Sequence, residues 1–320
     1  MRDLKLRMLK RFIPSFSGFG IKLFWLIALL LLGTKSFSQD VEPRRWSTLP
    51  LGIKILGAGY GYTSGEIFFD PVLQAEDVSL NMNTFILQYV QPFKLGNRLA
   101  RIDVTVPYAI AKWEGLVQGV PTAVHRNGFA DPRLRLSVNF LGPKAMGPKE
   151  LFEYLKSHPT YTTVGASIAV VLPLGQYFEE KLLNLGYNRF MVRPQIGMLH
   201  NWNNWSFELS GSVFMFSRNN DFFGGQQRDQ KPIWAVQTHL IKKFKSKLWG
   251  SLSAGYGSGG ISLINEVSND DQRGNFLSSF ALGMPISKKQ AVKVAYINGQ
   301  TLKDLGANTN SFVLAWSLVL

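Results

Sequence analysis

Apolar and polar side chains alternate with a period of two in one segment of this chain after another. Successive residues of a strand point to opposite faces, so such alternation marks strands with one apolar and one polar face. Residues 100–110 put Ala100, Ile102, Val104, Val106, Tyr108 and Ile110 on one face, against Arg101, Asp103, Thr105 and Ala109. Residues 133–140 set Leu134, Leu136, Val138 and Phe140 against Arg133, Arg135, Ser137 and Asn139. In 205–215, Trp205, Phe207, Leu209, Val213 and Met215 oppose Ser206, Glu208, Ser210 and Ser212. The C-terminus sets Phe312, Leu314, Trp316, Leu318 and Leu320 against Ser311, Val313, Ala315 and Ser317.

The N-terminus obeys a different rule. Leu23 to Leu32 is an unbroken apolar run, shorter than the ~20 residues that cross a membrane as a helix. It follows a basic segment and precedes Ser36-Phe37-Ser38, the arrangement of a secretory leader. Residues 1–38 are expected to be a signal peptide cleaved before Gln39, and 39–50 a periplasmic N-terminal lead. The net charge of +14 falls to +8 beyond Ser38, because seven basic residues and one acid lie in the leader. The remaining positive charge is dispersed, which argues against a nucleic-acid footprint. Without a single Cys, a disulfide framework and a cysteine metal site are both excluded.

Weaker alternating copies complete a series at 51–63, 80–91, 98–111, 131–141, 161–173, 189–200, 204–217, 232–244, 247–258, 275–286, 290–298 and 309–320. The expected fold of 51–320 is all-β, an antiparallel transmembrane β-barrel of about 12 strands. Short connections at 92–97, 201–203, 245–246 and 287–289 interleave with long ones at 64–79, 112–130, 174–188, 218–231, 259–274 and 299–308. Short periplasmic turns and longer extracellular loops are the outer-membrane pattern. The exception is 142–160, where Pro148 to Lys156 predicts a short helix at the periplasmic rim. A mean hydropathy of +0.01 suits a barrel, in which only alternate strand residues meet lipid.

Aromatics sort toward both strand ends. Tyr62, Tyr108, Tyr187, Trp234, Tyr256, Tyr296 and Phe312 fall on the long-loop side. Phe140, Tyr161, Trp202, Trp205, Phe244 and Trp249 fall on the short-turn side. Two such belts are what a bilayer's interfaces select, although aromatics also favour strands in general. Pro107, Pro173, Pro194 and Pro285 interrupt the strands and are expected at ends or bulges, with Pro194 the hardest to place. The glycines of Ser253 to Gly260 predict a kink or a close backbone approach.

Three short motifs carry a family resemblance: Gly128-Phe129-Ala130-Asp131-Pro132-Arg133, Leu172-Pro173-Leu174-Gly175 and Asp221-Phe222-Phe223-Gly224-Gly225. In this order, over about residues 44–320, the chain resembles the outer-membrane transporter family of the meta-pathway of phenol degradation. The resemblance implies a barrel in the outer membrane of a Gram-negative bacterium, taking up a small hydrophobic or aromatic compound. Its partners would be outer-membrane lipid and lipopolysaccharide, the solute and the barrel-assembly machinery. At the C-terminus Leu320 stands where that machinery usually meets Phe.

Residues for enzyme chemistry are sparse. Outer-membrane phospholipases place Ser two residues after a catalytic His. Here His125, His158, His200 and His239 are followed at that spacing by Asn127, Thr160, Trp202 and Ile241. No G-x-S-x-G elbow occurs, and Gly255 to Gly260 lacks the Lys-Ser/Thr of a phosphate loop. No cofactor is implied. Asp70, Glu76 and Asp77, or Asp270 and Asp271, are acidic loop groups whose simplest reading is solvation.

The polar face of the strands offers the candidate site: Arg101, Asp103, Arg133, Arg135, Arg193 and Glu208, with Lys293. Charges inside a barrel must pair or meet water. They form either a filling network or a path that prefers anions. Phe68, Phe69, Phe178, Leu182, Leu183, Phe222 and Phe223 are apolar loop candidates for capturing a solute. Passive transport, a plugged structural or adhesive barrel, and a lipid hydrolase are the three readings open at this point.

Overall fold

A computed structural model describes residues 41–69, 74–245 and 247–320. The expected signal peptide, cleavage site and Asp70 lie outside the described residues. The barrel strands are β1 (Ile55–Phe68), β2 (Ala75–Leu95), β3 (Arg98–Val117), β5 (Arg133–Leu141), β6 (Thr160–Val171), β7 (Met191–Trp202), β8 (Trp205–Phe216), β11 (Ile233–Lys243), β12 (Trp249–Gly259), β15 (Arg273–Pro285), β16 (Gln290–Thr301) and β17 (Gly306–Val319). Each pairs antiparallel with its neighbours, and β1 pairs with both β2 and β17. The β2–β3 ladder closes the ring. Among the described residues, twelve strands therefore form a closed barrel without a free edge, the arrangement by which a sheet meets its ladder groups within a bilayer.

Side-chain parity follows the sequence pattern. Leu87, Ile110, Ile168, Ile196, Leu252 and Phe312 are exposed on the outer face, while Arg135, Glu208, Ser210, Gln237 and Ser253 are buried inside. The belts hold in part: Trp234, Tyr256, Tyr296, Phe312, Phe140 and Phe244 are exposed. Trp249 and Tyr161 were expected in the lower belt but share the inward parity of Ser251 and Thr163. The Trp249 ring instead lies 5.0 Å beneath the Arg44 guanidinium.

Extracellular connections contain more strand than expected. The expected loop 112–130 is a hairpin: β3 runs on to Val117 and β4 (Val120–Phe129) returns along it. Gln118 and Gly119 make its turn at φ +53° and +74°, a conformation that two-residue hairpins require. The expected loop 64–79 is largely taken up by β1 and β2, leaving 69–74 between them. The connection at 299–308 shrinks to 302–305. Outside the barrel, β9 (Asn219–Phe222), β10 (Gln226–Gln230), β13 (Ser262–Ile264) and β14 (Val267–Ser268) form a separate four-stranded sheet.

The prolines mark breaks in pairing. β3 pairs with β5 through Thr105 and with β4 from Tyr108, so Pro107, which has no N–H, sits where the partner changes. Pro194 lies where the β7–β8 ladder lapses between Val192 and Gln195. Pro173 follows β6 and Pro285 ends β15. Gly259 and Gly260 hold positive φ at the end of β12, and a Cβ at Gly259 would lie 2.4 Å from the Pro232 carbonyl oxygen. On the opposite rim, α1 (Pro148–Ser157) forms as the sequence predicts, with Pro148 in its first turn and the Glu150 carboxylate accepting from the Gly147 amide.

A latched lumen and an apolar vestibule

The segment expected as a periplasmic lead reaches into the barrel. Val41 to Trp46 lies among the inward side chains of β3, β5, β7 and β8. Glu208 accepts from two of its amides, Trp46 at 2.5 Å through Oε1 and Arg44 at 2.6 Å through Oε2. A carboxylate collecting two adjacent N–H groups makes strong, directional, charge-assisted bonds. The Trp46 indole is 1% exposed and donates from Nε1 to Ser210 Oγ at 2.8 Å. Its slot exists because two inward positions lack side chains. A Cβ at Gly197 would fall 2.0 Å from Trp46 Nε1, and one at Gly165 2.7 Å from Trp46 Cζ3.

Charge pairing completes the latch. Arg45 donates from Nη1 and Nη2 to Asp103 at 3.1–3.2 Å, and from Nη2 to Ser137 Oγ. Glu42 accepts from Arg135 in a fork and from Arg133 Nη2 at 3.1 Å. Burial alone would raise the Glu42 carboxyl. The Arg135 guanidinium, with Arg193 and Arg101 nearby, outweighs it and holds the group at about 2.

All six lumen candidates named from the sequence therefore surround one element. Arg101 reaches Asp103 at 3.3 Å. Arg133, Arg135, Asp103 and Glu208 hold the N-terminal segment directly. Arg193 donates to Ser212 Oγ at 3.2 Å and stacks 4.6 Å over Phe214. Sequence reasoning missed Glu42, Arg44, Arg45 and Trp46. One signal was available: four arginines on the inward parity against two carboxylates call for further acid, and Glu42 supplies it.

The latch fills one side of the lumen. On the other, a cavity of about 460 Å³ remains, bounded by Glu42 and Arg45 and by Ile55, Ile86, Leu277, Ala281, Ala295, Ile297 and Val313. Arg101, Asp103 and Lys293 bring charge to its wall. At the extracellular end, a vestibule of about 640 Å³ is lined by Ile67, Phe68, Phe69, Leu182, Leu183, Tyr187, Phe222 and Phe223. Phe222 and Phe223, candidates from the sequence, thus lie together with the apolar residues of two other loops. Phe178 stands against Arg126 instead, 5.5 Å from its guanidinium.

The motifs of the family resemblance meet in the extracellular loops. Asp131 accepts from the amides of Gly175 at 2.8 Å and Tyr187 at 2.7 Å. A Cβ at Gly175 would sit 2.7 Å from Asp131. Tyr177 donates to the Asp221 carbonyl at 2.9 Å. These residues fasten the loop 172–190 over the barrel mouth. Among the described residues, no group of three or more His, Cys, Asp or Glu is gathered for a metal. His200 Nδ1 lies 2.9 Å from Thr162 Oγ1, and Ser157 Oγ lies 3.0 Å from His158 Nδ1 on the exposed end of α1.

Closure, inward polarity and an outward apolar band define an outer-membrane β-barrel. The chain belongs to the family described as "Putative MetA-pathway of phenol degradation", whose model matches residues 61–309. The fold is similar to an outer membrane channel from Pseudomonas putida F1, at a TM-score of 0.73 and 18% identity, covering 88% of this chain and 100% of that one. More distant are the transport unit of the autotransporter AIDA-I from Escherichia coli (TM-score 0.43, 12% identity, 92% of this chain and 97% of that one) and a FadL homologue from Pseudomonas aeruginosa (TM-score 0.41, 8% identity, 83% and 89%). No curated protein sequence matches the chain.

Proposed function

We propose that the protein is a passive, non-enzymatic outer-membrane channel for a small hydrophobic or aromatic compound, received by the vestibule and passed through the lumen or out through its wall. One observation carries this reading. The lumen keeps a cavity of about 460 Å³ beside the latch, with apolar and small side chains such as Ile55, Ile86, Leu277, Ala281, Ala295, Ile297 and Val313 on one wall and charged groups, Arg44, Arg101, Arg133 and Lys293 among them, on the rest. Sites for small ligands are of this size and character. The candidate groups Arg101, Asp103, Arg133, Arg135, Arg193 and Glu208 act in this reading by holding the N-terminal segment, which sets the width of the path. The domain plan that goes with it is a cleaved leader at 1–38, an N-terminal lead at 39–50 of which Val41 to Trp46 lie in the lumen, and a barrel from 51 to 320. Lipopolysaccharide contact and barrel-assembly recognition belong to the same proposal.

The test is conductance in planar bilayers together with toluene uptake into liposomes, on protein refolded in detergent and shown folded by a heat-dependent gel shift. Stepwise conductance with uptake is the expected result. A folded barrel that passes neither ions nor solute overturns it. That outcome would support a plugged structural barrel instead, a reading favoured by the number of buried bonds holding Glu42 to Trp46. Esterase activity dependent on a single Ser would support a hydrolase.

A further inference from the structure

The vestibule is apolar in most of its lining, yet it holds a group of arginines. Arg228 on β10 and Arg273 at the start of β15 line it. Arg189, just before β7, is buried close by. Its burial, with the charges of Arg228 and Arg273 added, pulls its guanidinium down to about 10. Like charges gather in a desolvated place only at a cost, which a counter-charge removes.

The local carboxylates offset only part of this charge: Asp271 lines the vestibule and acts on Arg228, Asp229 acts on Arg189, and both have other partners. Asp229 pairs with Arg218 at 2.9 Å. Asp271 accepts from the Ser262 amide and hydroxyl, each at 2.6 Å. Two buried guanidinium nitrogens, Arg189 Nη1 and Arg228 Nε, have no hydrogen-bond partner among the described residues. Buried donors are normally satisfied, so such groups mark a place where an acceptor belongs. Stacking also fixes these side chains: Arg228 lies 5.1 Å over Phe222, and Arg189 lies 4.5 Å over Phe216. A guanidinium stacked by its face keeps its N–H edge available for a forked contact with a carboxylate.

We infer that the vestibule is a capture site for apolar monocarboxylates, aromatic acids or short fatty acids. The apolar body lies against Phe68, Leu183, Phe222 and Phe223, and the carboxylate sits on Arg228 and Arg273. The inference rests on the uptake reading for its purpose, and it adds a charge to the solute class. Carboxylate and apolar body must be present in one molecule for both halves of the site to be used.

Calorimetry on the detergent-refolded full chain compares benzoate and octanoate with benzyl alcohol and 1-octanol. The carboxylates are expected to bind on the order of 10- to 100-fold more tightly, the range of one or two charge-assisted hydrogen bonds. Arg228→Gln with Arg273→Gln should abolish that preference, whereas Arg228→Lys should keep part of it. The heat-dependent gel shift verifies folding of each variant. Equal binding of acids and alcohols by the natural chain overturns the inference, as does a preference that survives the double glutamine variant. Liposome uptake separates the two proposals. Solute passage without carboxylate preference sinks the capture site and leaves the channel standing. Preference without passage sinks the channel and leaves the site.

Discussion

The two sides of the lumen are built from the same kind of strand and have opposite fates. Around β3, β5, β7 and β8 the inward positions carry Asp103, Arg135, Arg193 and Glu208, and that side binds the chain's own N-terminal segment. Around β1, β15, β16 and β17 they carry Ile55, Ser279, Ala281, Ala295, Ile297 and Val313, with Lys293 bringing charge, and that side borders open space. A charged wall inside a barrel needs partners, and here the polypeptide supplies them. A wall made mostly of small and apolar side chains asks for fewer. One ring of strands thus holds both a lock and a gap.

Removing the indole should break this contrast most strongly. Trp46→Ala is expected to weaken the latch by about 3–5 kcal/mol, as for other buried large-to-small changes, and to raise single-channel conductance. Gly197→Ala attacks the same slot from the wall and should release the segment while leaving the Trp46 side chain intact. Next is Glu208→Ala, which removes the acceptor of the Arg44 and Trp46 amides. At about 1.5–3 kcal/mol for each bond to a charged group, the released state should become far more populated, read as proteolytic access to residues 41–46.

Acid should act more gently. The Glu42 carboxyl is held at about 2, below its ordinary value of 4.5. Its pairing therefore contributes in full above about pH 4.5, and the contribution fades as the pH falls toward 2. Conductance should rise across that window in the natural chain, and Glu42→Gln should show the raised value already at neutral pH. The smallest effect on stability belongs to the open side. Ala295→Leu faces the cavity, so it should change the melting temperature little and reduce conductance, sharpening the assignment of that side as the path. An unchanged conductance would place the path elsewhere.

Much of the barrel was legible in the primary structure because parity is a local property. Arg101 and Asp103 face inward for the same reason that Ile102 and Val104 face lipid, and neighbouring residues suffice to say so. Strand ends were less legible. Residues 112–130 read as a loop because β3 and β4 lose their apolar face above the bilayer, where Lys112 and Glu114 can pair in solvent at 2.7 Å. Trp249 and Tyr161 were misplaced because proximity to a strand end does not reveal which face a ring occupies.

By itself the amino-acid sequence determined the fold class, a count of about 12 strands, the lipid face of the strands that alternate strictly and the rim helix. All of these depend on residues within a few positions of one another. Only the tertiary structure decided that residues 41–46 enter the lumen and that Phe68, Leu183 and Phe223 meet around Arg228. The bonds of the latch join residues 58 to 164 positions apart, as in Arg45 with Asp103 and Arg44 with Glu208. No local periodicity encodes such pairs. They exist because closing the barrel brings distant strands around one small volume, where unpaired charge is too costly to leave.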